Sequence, residues 1–485
     1  MTLRELIAGA EVEGVSGDDG VEIADLAYDS DRVGPGTLYF CVRGQRADGH
    51  DFAPAAIEAG AAALVVEHEL DLAAPQVRVA DARAAMAPLA ARFWGDPTAE
   101  LEVVGITGTN GKTTTAFLVR AILEAAGRRC GLLGTVKQVV GGAEEEVIRT
   151  TPEAIDLQAT FRRMLDAGDA DCSMEVSSHA LALRRADAIH FAVALFTNLT
   201  QDHLDFHADM EDYFQAKRML FDLGPGAAAV NVDDPYGARL AGEIEGAITF
   251  SAAGADAEFR ATDVKFDVSG ARFRVHGPEG EVEVRTALPG HFNVANALAA
   301  IAATSALGVP PGAAAAALSA AGQIPGRFEP VDGGQSFAVL VDYAHTPDSL
   351  DNVLRAARRL TEGRLISVFG CGGDRDREKR PLMGRIGAEL SDIAVVTSDN
   401  PRSEDPEAII GEILAGVPTA AGVVVDPDRR AAIGLALRRA EPGDTVVIAG
   451  KGHEQGQEFE AGRKVPFDDR EVAREELRKL DRALT

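Results

Sequence analysis

The sequence predicts an α/β protein of three domains. Three observations carry that prediction. Short apolar runs alternate with helix-patterned segments along most of the chain, a Gly-rich loop joins one such run to one such segment, and 485 residues exceed a single ordinary core. Breaks in the pattern place the boundaries at 1–98, 99–326 and 327–485.

Residues 1–98 hold apolar runs at 37–42, 61–67 and 77–80 with helix-like stretches between them, such as 81–93, and Gly95-Asp96-Pro97 then breaks the chain. A second series opens with the run 101–106 and continues through 172–176, 192–198 and 228–232. Between 259 and 287 the apolar period becomes two, as in Val264-Lys265-Phe266-Asp267-Val268 and Val282-Glu283-Val284, which predicts an antiparallel hairpin at a sheet edge. The Ala-rich stretch 311–322 is too short to span a bilayer and predicts a helix packed closely on a neighbour. A Gly- and Pro-bearing stretch at 322–330 is a candidate hinge. Beyond it, runs at 338–341, 365–369, 393–397, 422–425 and 445–448 alternate with helical stretches, the pattern of a parallel sheet covered on both faces. Ligands of such sheets bind at the carboxyl ends of strands, where the charged clusters of this region lie.

A formal net charge of −28 argues against nonspecific nucleic-acid or anionic-membrane binding, so anionic ligands must be met by local basic clusters. Cys41, Cys130, Cys172 and Cys371 form no CxxC pair, which fits a reducing compartment and buried small hydrophobes rather than zinc. The first ten residues have no apolar signal core, and no run of about 18 strongly apolar residues occurs, so a soluble cytoplasmic protein is expected.

The chemistry begins at Thr107-Gly108-Thr109-Asn110-Gly111-Lys112-Thr113, between the strand-like run 101–106 and a helix-like run from 116 to 126. Glycines let successive backbone N–H groups face phosphate oxygens, Lys112 adds a point charge near the β- and γ-phosphates, and the Thr113 hydroxyl is placed for Mg²⁺. Ile106 stands where the usual pattern has a small residue, with Gly105 and Gly108 supplying the flexibility, so this is a variant loop; a Gly-rich turn with an incidental Lys is the bland alternative. Glu175 closes an apolar strand, where a carboxylate can hold Mg²⁺ directly or through water. Residues 197–205 crowd hydroxyl, amide, carboxylate and imidazole groups together, His203 among them, although Asn and Asp also favour plain turns. Lys217 lies in an amphipathic segment, and by composition alone it is a snorkelling surface lysine. Residues 374–380 follow a strand and a Gly-rich turn, a setting suited to anions, yet mixed charges there also read as a solvated helix start. Asp399-Asn400-Pro401-Arg402 follows another strand, and an Arg held by a rigid Pro turn is able to clamp a carboxylate bidentately.

Taken together these segments resemble the Mur ligase family of ATP-dependent amide-forming enzymes, and within it the members that add the third residue of the peptidoglycan stem peptide. The resemblance covers nearly the whole chain. It includes Tyr28-Asp29-Ser30-Asp31-Arg32, the phosphate loop, Arg149-Thr150-Thr151-Pro152, the Glu175 strand end, the His203 loop, the Lys217 segment and His291-Phe292-Asn293-Val294-Ala295-Asn296. It continues through Gly326-Arg327-Phe328-Glu329, Asp342-Tyr343-Ala344-His345-Thr346-Pro347, Asp399 to Arg402, and Gly450-Lys451-Gly452-His453-Glu454.

The resemblance implies an N-terminal domain for a uridine nucleotide, a central P-loop-type ATPase domain and a Rossmann-like C-terminal domain for an amino acid. It implies that ATP drives the joining of UDP-N-acetylmuramoyl-L-alanyl-D-glutamate to a diamino acid through an acyl phosphate, in a monomer. By the same resemblance Lys112, Lys217 and His203 are catalytic, and Thr107 to Thr113, Asn293, Asn296, Arg327 and Asp342 bind ATP. Ser30, Thr150, Thr151, Ser177 and Arg185 take the UDP-dipeptide, and Leu183 stands where relatives commonly carry a Gln. Two Mg²⁺ sites are implied at Thr113, Glu175, His203 and Lys217, with a CO₂-derived carbamate on Lys217 as an anionic ligand. The Asp-Asn-Pro-Arg tetrapeptide implies meso-2,6-diaminopimelate as the amino acid, held by Arg375, Asp399, Asn400, Pro401, Arg402, Gly450 and Glu454.

Two alternatives stay open at this stage. A folylpolyglutamate synthetase shares the ATPase and C-terminal domains but has no nucleotide-sugar domain resembling 1–98. A nucleotide-dependent switch hydrolyses ATP without a ligase product and needs neither the Lys217 segment nor an amino-acid clamp.

Overall fold

The computed structural model describes residues 1–44, 47–147, 149–267, 269–418 and 422–484. The chain has a three-domain α/β architecture and divides into two compact units. The first comprises Met1–Thr107, Gly127–Ala194 and Ala216–Ala227; the second comprises Gly108–Ala126, Leu195–Gln215 and Ala228–Thr485.

The first unit opens with a five-stranded sheet in the order Gly14–Ser16, Gln76–Arg78, Ala61–Val66, Thr37–Phe40 and Asp25–Ala27. Only the first of these strands is antiparallel to its neighbour. The central strands are almost wholly apolar because helices cover them. Helix Ala82–Phe93, capped by the Asp81 carboxylate on the Arg83 and Ala84 N–H groups, lays Met86, Leu89 and Ala90 into a core with Leu38, Phe40, Val65 and Val77. The Gly95-Asp96-Pro97 break is real: Gly95 and Asp96 both take positive φ. Strand Glu102–Thr107 then pairs in parallel with Asp171–Glu175, which pairs in parallel with Cys130–Leu133. Helix Ala154–Asp166 packs against helix Ala82–Phe93, and its Ile155 completes the N-terminal core.

In the second unit the phosphate loop runs into helix Lys112–Ala125, which packs on helix His291–Ala306. Strands Ala227–Asn231, Ile248–Ser251 and Phe259–Asp267 are parallel, and Gly270–Gly277 and Gly280–Thr286 follow antiparallel. The expected edge hairpin is thus a three-stranded meander, with Gly280–Thr286 outermost; Val268 lies outside the described residues. Along that last strand Glu281, Glu283 and Arg285 are exposed while Val284 and Thr286 are buried, which is the alternation the sequence displayed. The Ala-rich segment forms helix Pro311–Ala320, packed on this strand and on helix Lys112–Ala125 as anticipated.

A six-stranded sheet completes the second unit, in the order Glu329–Pro330, Ala338–Asp342, Thr445–Ala449, Leu365–Phe369, Ile393–Val396 and Val423–Val425. It is parallel apart from its first short strand. Helices Pro347–Leu360, Lys379–Leu390 and Pro406–Leu414 bury Leu350, Leu354, Met383 and Ile409 on one face, and helices Arg429–Arg439 and Asp469–Leu484 bury Ile433, Leu437 and Val472 on the other. Thr445–Ala449, last in sequence, lies between the first two long strands, so the sheet winds in both directions from there. The loops after Asp342, Phe369, Val396 and Ala449 therefore share one rim. All four cysteines are buried, and none forms a disulfide. Among the described residues no helix is long and apolar enough to cross a membrane.

Candidate active site

In the second unit the phosphate loop is held against the loop that follows strand Phe191–Phe196. Gly108 has φ +148°, and a Cβ there would lie 1.8 Å from Thr197 Oγ1 and 3.1 Å from the Asn198 backbone N. Only glycine allows that approach. Asn110 N–H donates to Asn198 Oδ1 at 2.9 Å, and the Asn110 carbonyl accepts from Thr197 Oγ1 at 2.7 Å. Asn110 Nδ2 donates to Asp348 Oδ2 at 2.8 Å, tying the loop to helix Pro347–Leu360. Lys112 Nζ arches over the loop and donates to the Gly108 and Thr109 carbonyls, both at 2.8 Å.

The other expected ATP residues surround this loop. Gly111 also has positive φ, and a Cβ on it would meet Asn296 Oδ1 at 2.3 Å. Asn296 Nδ2 donates to Asn293 Oδ1 at 3.2 Å, one turn earlier on the same helix. Arg327 Nη2 donates to Thr113 Oγ1 at 2.8 Å, and its guanidinium lies 4.5 Å from the centre of the Tyr343 ring. Asp342 accepts from the Phe328 and Ala344 N–H groups at 2.7 and 2.8 Å. Burial pushes its pKa up to about 6, against the opposing pull of Arg327 and those two N–H groups.

The polar loop after strand Phe191–Phe196 is not a plain turn. His203 has φ +57°, and Asp202 accepts from the His203 N–H at 2.9 Å. Lys379 Nζ lies 3.8 Å from Asp202, with both side chains buried. His345 is half-buried, and its Nδ1 bonds the Tyr343 carbonyl at 2.8 Å. Burial, then repulsion from Lys379, lowers the His345 pKa, so a neutral ring with its proton on Nδ1 is the favoured form. Lys379 is buried, so of the two readings of 374–380, an anion-binding setting or a solvated helix start, the second does not hold at this residue. Arg380 is likewise buried, with its guanidinium on Glu404, Glu412 and the Gly372 carbonyl. Charge alone gave no sign of this, because the partners lie far off in sequence.

At the rim of the C-terminal sheet, Lys451 is fully buried and donates to Asn400 Oδ1 at 2.7 Å and Glu454 Oε2 at 2.9 Å, with Asp399 Oδ1 at 3.5 Å. Asn400 Nδ2 donates to the same Glu454 oxygen at 2.8 Å. Gly450, at φ +124°, gives way to Asp399, whose Oδ2 would lie 3.0 Å from a Cβ there. Burial alone would raise the Asp399 pKa, but Lys451 and Arg429 outweigh it and hold the carboxyl below its ordinary value. After Pro401, Arg402 takes φ +52°, sets Nε on Glu458 at 3.0 Å and donates from Nη1 to the Gly373 carbonyl at 2.8 Å. Gly372 separates Arg402 from Arg375: a Cβ on it would lie 3.0 Å from Arg402 Nη1 and 3.9 Å from Arg375 Cγ. Among the described residues Arg375 bonds only the neighbouring Asp374 carbonyl. The structure thus gathers Asp399, Asn400, Arg402, Gly450 and Glu454, and adds Lys451 and Glu458, which the sequence reading had not selected.

In the first unit Glu175 is buried, with Oε1 accepting from the Thr135 N–H at 2.8 Å and Oε2 from its hydroxyl at 3.1 Å. A Cβ on Gly134 would intrude to 2.4 Å of Glu175 Oε1. Thr150 Oγ1 reaches the same Thr135 hydroxyl at 3.1 Å. Thr151 Oγ1 donates to the Glu175 carbonyl at 2.9 Å and accepts from the Ser177 N–H at 3.1 Å, and Arg185 Nη1 donates to the Thr151 carbonyl at 3.3 Å. Thr150, Thr151, Glu175, Ser177 and Arg185 therefore form one cluster. Ser30 begins a short 3₁₀ turn capped by Asp29, flanked by Tyr28 and Arg32, which both bond Asp156. Leu183 ends helix Ser178–Ala182, half-buried.

Lys217 overturns its surface reading. It is 1% exposed, on the face of helix Met210–Asp222 that also carries Tyr213, Phe214 and Leu220. A buried ammonium demands anionic company or conversion to another group. Among the described residues no three His, Cys, Asp or Glu side chains gather as a metal cage. A carboxylate and a hydroxyl are each oxygen donors of the kind Mg²⁺ takes, and Glu175 in the first unit and Thr113 in the second are each buried.

Models of known families place this assembly. Residues 106–304 match the Mur ligase middle domain, 326–452 the Mur ligase glutamate ligase domain, and 22–94 the Mur ligase catalytic domain, so the chain belongs to the Mur ligase family. It is 47% identical to the UDP-N-acetylmuramoyl-L-alanyl-D-glutamate--2,6-diaminopimelate ligase of Syntrophomonas wolfei, over 99% of each chain. It is 49% identical to the enzyme of that name from Gloeobacter violaceus, over 99% of this chain and 98% of the other. A solved structure bearing the same name superposes with a TM-score of 0.70 at 30% identity, over 99% of both chains.

Proposed function

We propose that this protein is an ATP-dependent ligase that adds meso-2,6-diaminopimelate to UDP-N-acetylmuramoyl-L-alanyl-D-glutamate through an acyl phosphate, in cytoplasmic peptidoglycan precursor synthesis. The observation that carries this reading is the clamp of Asp399, Asn400, Lys451, Glu454 and Arg402, built in the same compact unit as the phosphate loop. A nucleotide switch has no use for such a clamp. Relatives of that name, aligned over the whole length, support the same substrates.

A carboxylate is a poor acyl donor at neutral pH, so the D-glutamyl γ-carboxylate first takes the γ-phosphoryl group of ATP and releases ADP. The amine of the diamino acid then attacks the acyl carbon and expels phosphate. We assign residues 1–98 to the uridine nucleotide, 99–326 to ATP and 327–485 to the amino acid. Backbone N–H groups of the loop from Thr107 to Thr113 cradle the phosphates, and Lys112 swings from its own carbonyls to the transferring group. Asn293, Asn296, Arg327 and Asp342 orient the nucleotide. Thr150, Thr151, Ser177 and Arg185 hold the dipeptide, with Ser30 on the uridine part. Thr113, Glu175, His203 and Lys217, the last as its carbamate, are the ligands we assign to two Mg²⁺ ions, which would supply positive charge to the transferring phosphoryl group.

Opposite charges meet the two ends of the amino acid. Asp399 and Glu454 attract ammonium groups, while Arg402, with Arg375, takes the distal carboxylate that lysine lacks. The test is a ligase assay with the UDP-dipeptide, ATP, Mg²⁺ and a panel of amino acids, read by mass spectrometry. The expected product is the UDP-tripeptide with meso-diaminopimelate, and ATP turnover should require both the UDP-dipeptide and Mg²⁺. Vigorous ATP hydrolysis without the UDP-dipeptide would overturn the reading.

A further inference from the structure

One buried carboxylate in the first unit has more cations around it than a structural ion pair requires. Glu153 flanks the start of helix Ala154–Asp166, with its side chain 5% exposed. Its Oε1 accepts from Arg149 Nη1 at 2.8 Å and Arg185 Nη2 at 2.9 Å, and its Oε2 from Arg83 Nη1 at 3.2 Å. Three guanidinium groups thus share one carboxylate, leaving a local excess of positive charge in a chain whose formal net charge is −28. Arg185 Nε is buried and has no hydrogen-bond partner among the described residues. A buried donor left unpaired costs free energy that a bound acceptor recovers. Arg185 also touches the Thr151 carbonyl, next to the hydroxyl that binds Ser177. Burial lowers its proton affinity and Arg149 and Arg83 add to that, while Glu153 opposes them.

We propose that Glu153 is a positioning residue that fixes Arg185 and Arg149 as paired cations for the D-glutamyl α-carboxylate of the UDP-dipeptide. This rests on the function proposed above. That carboxylate is the one the reaction leaves free, and it must be kept from the phosphate if only the γ-carboxylate is to be activated. Two guanidinium groups sharing a single oxygen of Glu153 keep further N–H groups available for a ligand in a fixed orientation. Arg83, from helix Ala82–Phe93, ties this cradle to the N-terminal sheet domain.

The experiment compares the UDP-dipeptide with its α-carboxamide analogue, in which D-isoglutamine replaces D-glutamate, using wild type, Glu153→Gln and Arg149→Gln. Wild type should show a KM about tenfold or more higher for the amide. Glu153→Gln should raise KM for the acid to nearly that of the amide, leave KM for the amide and for ATP close to wild type, and retain most of kcat. Arg149→Gln, at a half-exposed side chain, should shrink the same discrimination with an unchanged melting temperature, which keeps the test valid if Glu153→Gln folds poorly. An equal rise in KM for both substrates, or undiminished discrimination in both variants, would overturn the positioning role. Failure of wild type to use the UDP-dipeptide at all would instead count against the proposed function.

Discussion

The Asp202 carboxylate lies 3.8 Å from the Lys379 ammonium, with both side chains buried. This pair joins the polar loop after strand Phe191–Phe196 to the first residue of helix Lys379–Leu390. Burial alone would raise the Asp202 pKa, yet His203, Lys379 and His345 together hold the carboxyl well below its ordinary range. Lys379→Met should therefore strand a buried charge and lower unfolding free energy by about 3 to 5 kcal/mol. Denaturant titration measures this, and adding Asp202→Leu should recover part of the loss. A single variant as stable as wild type would show that the Asp202 carboxylate does not depend on Lys379.

Arg402 offers the sharpest test of amino-acid choice. Its Nε and Nη1 are pinned by Glu458 and the Gly373 carbonyl, so its orientation is set before any ligand arrives. Arg402→Ala should raise KM for meso-diaminopimelate by about 100-fold, given the usual cost of unpairing a clamped charge, with KM for ATP and the UDP-dipeptide nearly unchanged. Arg402→Lys should rescue poorly, because an ammonium does not reproduce two-pronged contact. Wild type should strongly prefer meso-diaminopimelate to L-lysine; equal use of both would refute the assignment while leaving the ligase chemistry intact.

Lys217→Ala should lose most turnover, and added bicarbonate should not restore it, because no amine remains to accept CO₂. Lys217→Glu keeps an anionic oxygen at shorter reach and should recover part of the activity. Steady-state assays at low and high bicarbonate decide the matter, and near wild-type turnover by Lys217→Ala would remove the carbamate from the mechanism.

Asp342 sets a pH dependence whose sign follows from its raised pKa. Below its ordinary value of 3.8 it is protonated whether folded or unfolded, so it contributes nothing. As pH rises from there to about 6, the unfolded chain sheds its proton while the folded one retains it, and the fold loses about 3 kcal/mol that is not regained at higher pH. Asp342→Asn does not titrate. Denaturation of both proteins at pH 4 and pH 7 should show the variant gaining on wild type by about that amount at the higher pH. A constant difference between the two would place the Asp342 pKa at its ordinary value.

Much of this site was legible in the sequence because its chemistry sits at strand ends, where local pattern and function coincide. The phosphate loop, Glu175 and Asp399 to Arg402 each follow an apolar run, and the structure places each at the end of that strand. Lys217 was misread because an apolar-face rule assigns long cations to the surface, and only tertiary packing reveals a lysine on the same face as Tyr213 and Leu220. Lys379 and Arg380 hid inside a run of mixed charges, since the carboxylates that admit them to the interior come from other elements. Glu153 carried no local signal, for its three arginines come from a distant helix, a loop and the turn after another helix.

The outermost strand of the meander, Gly280–Thr286, also governs how the protein behaves in a crowded solution. Its free edge would be an open template for a foreign strand. Glu281, Glu283 and Arg285 project from it, and Arg272 and Arg274 on the neighbouring strand pair with those glutamates. An incoming chain would have to strip water from this charged fringe before forming a single backbone bond, so the edge resists fibril-like stacking at high concentration.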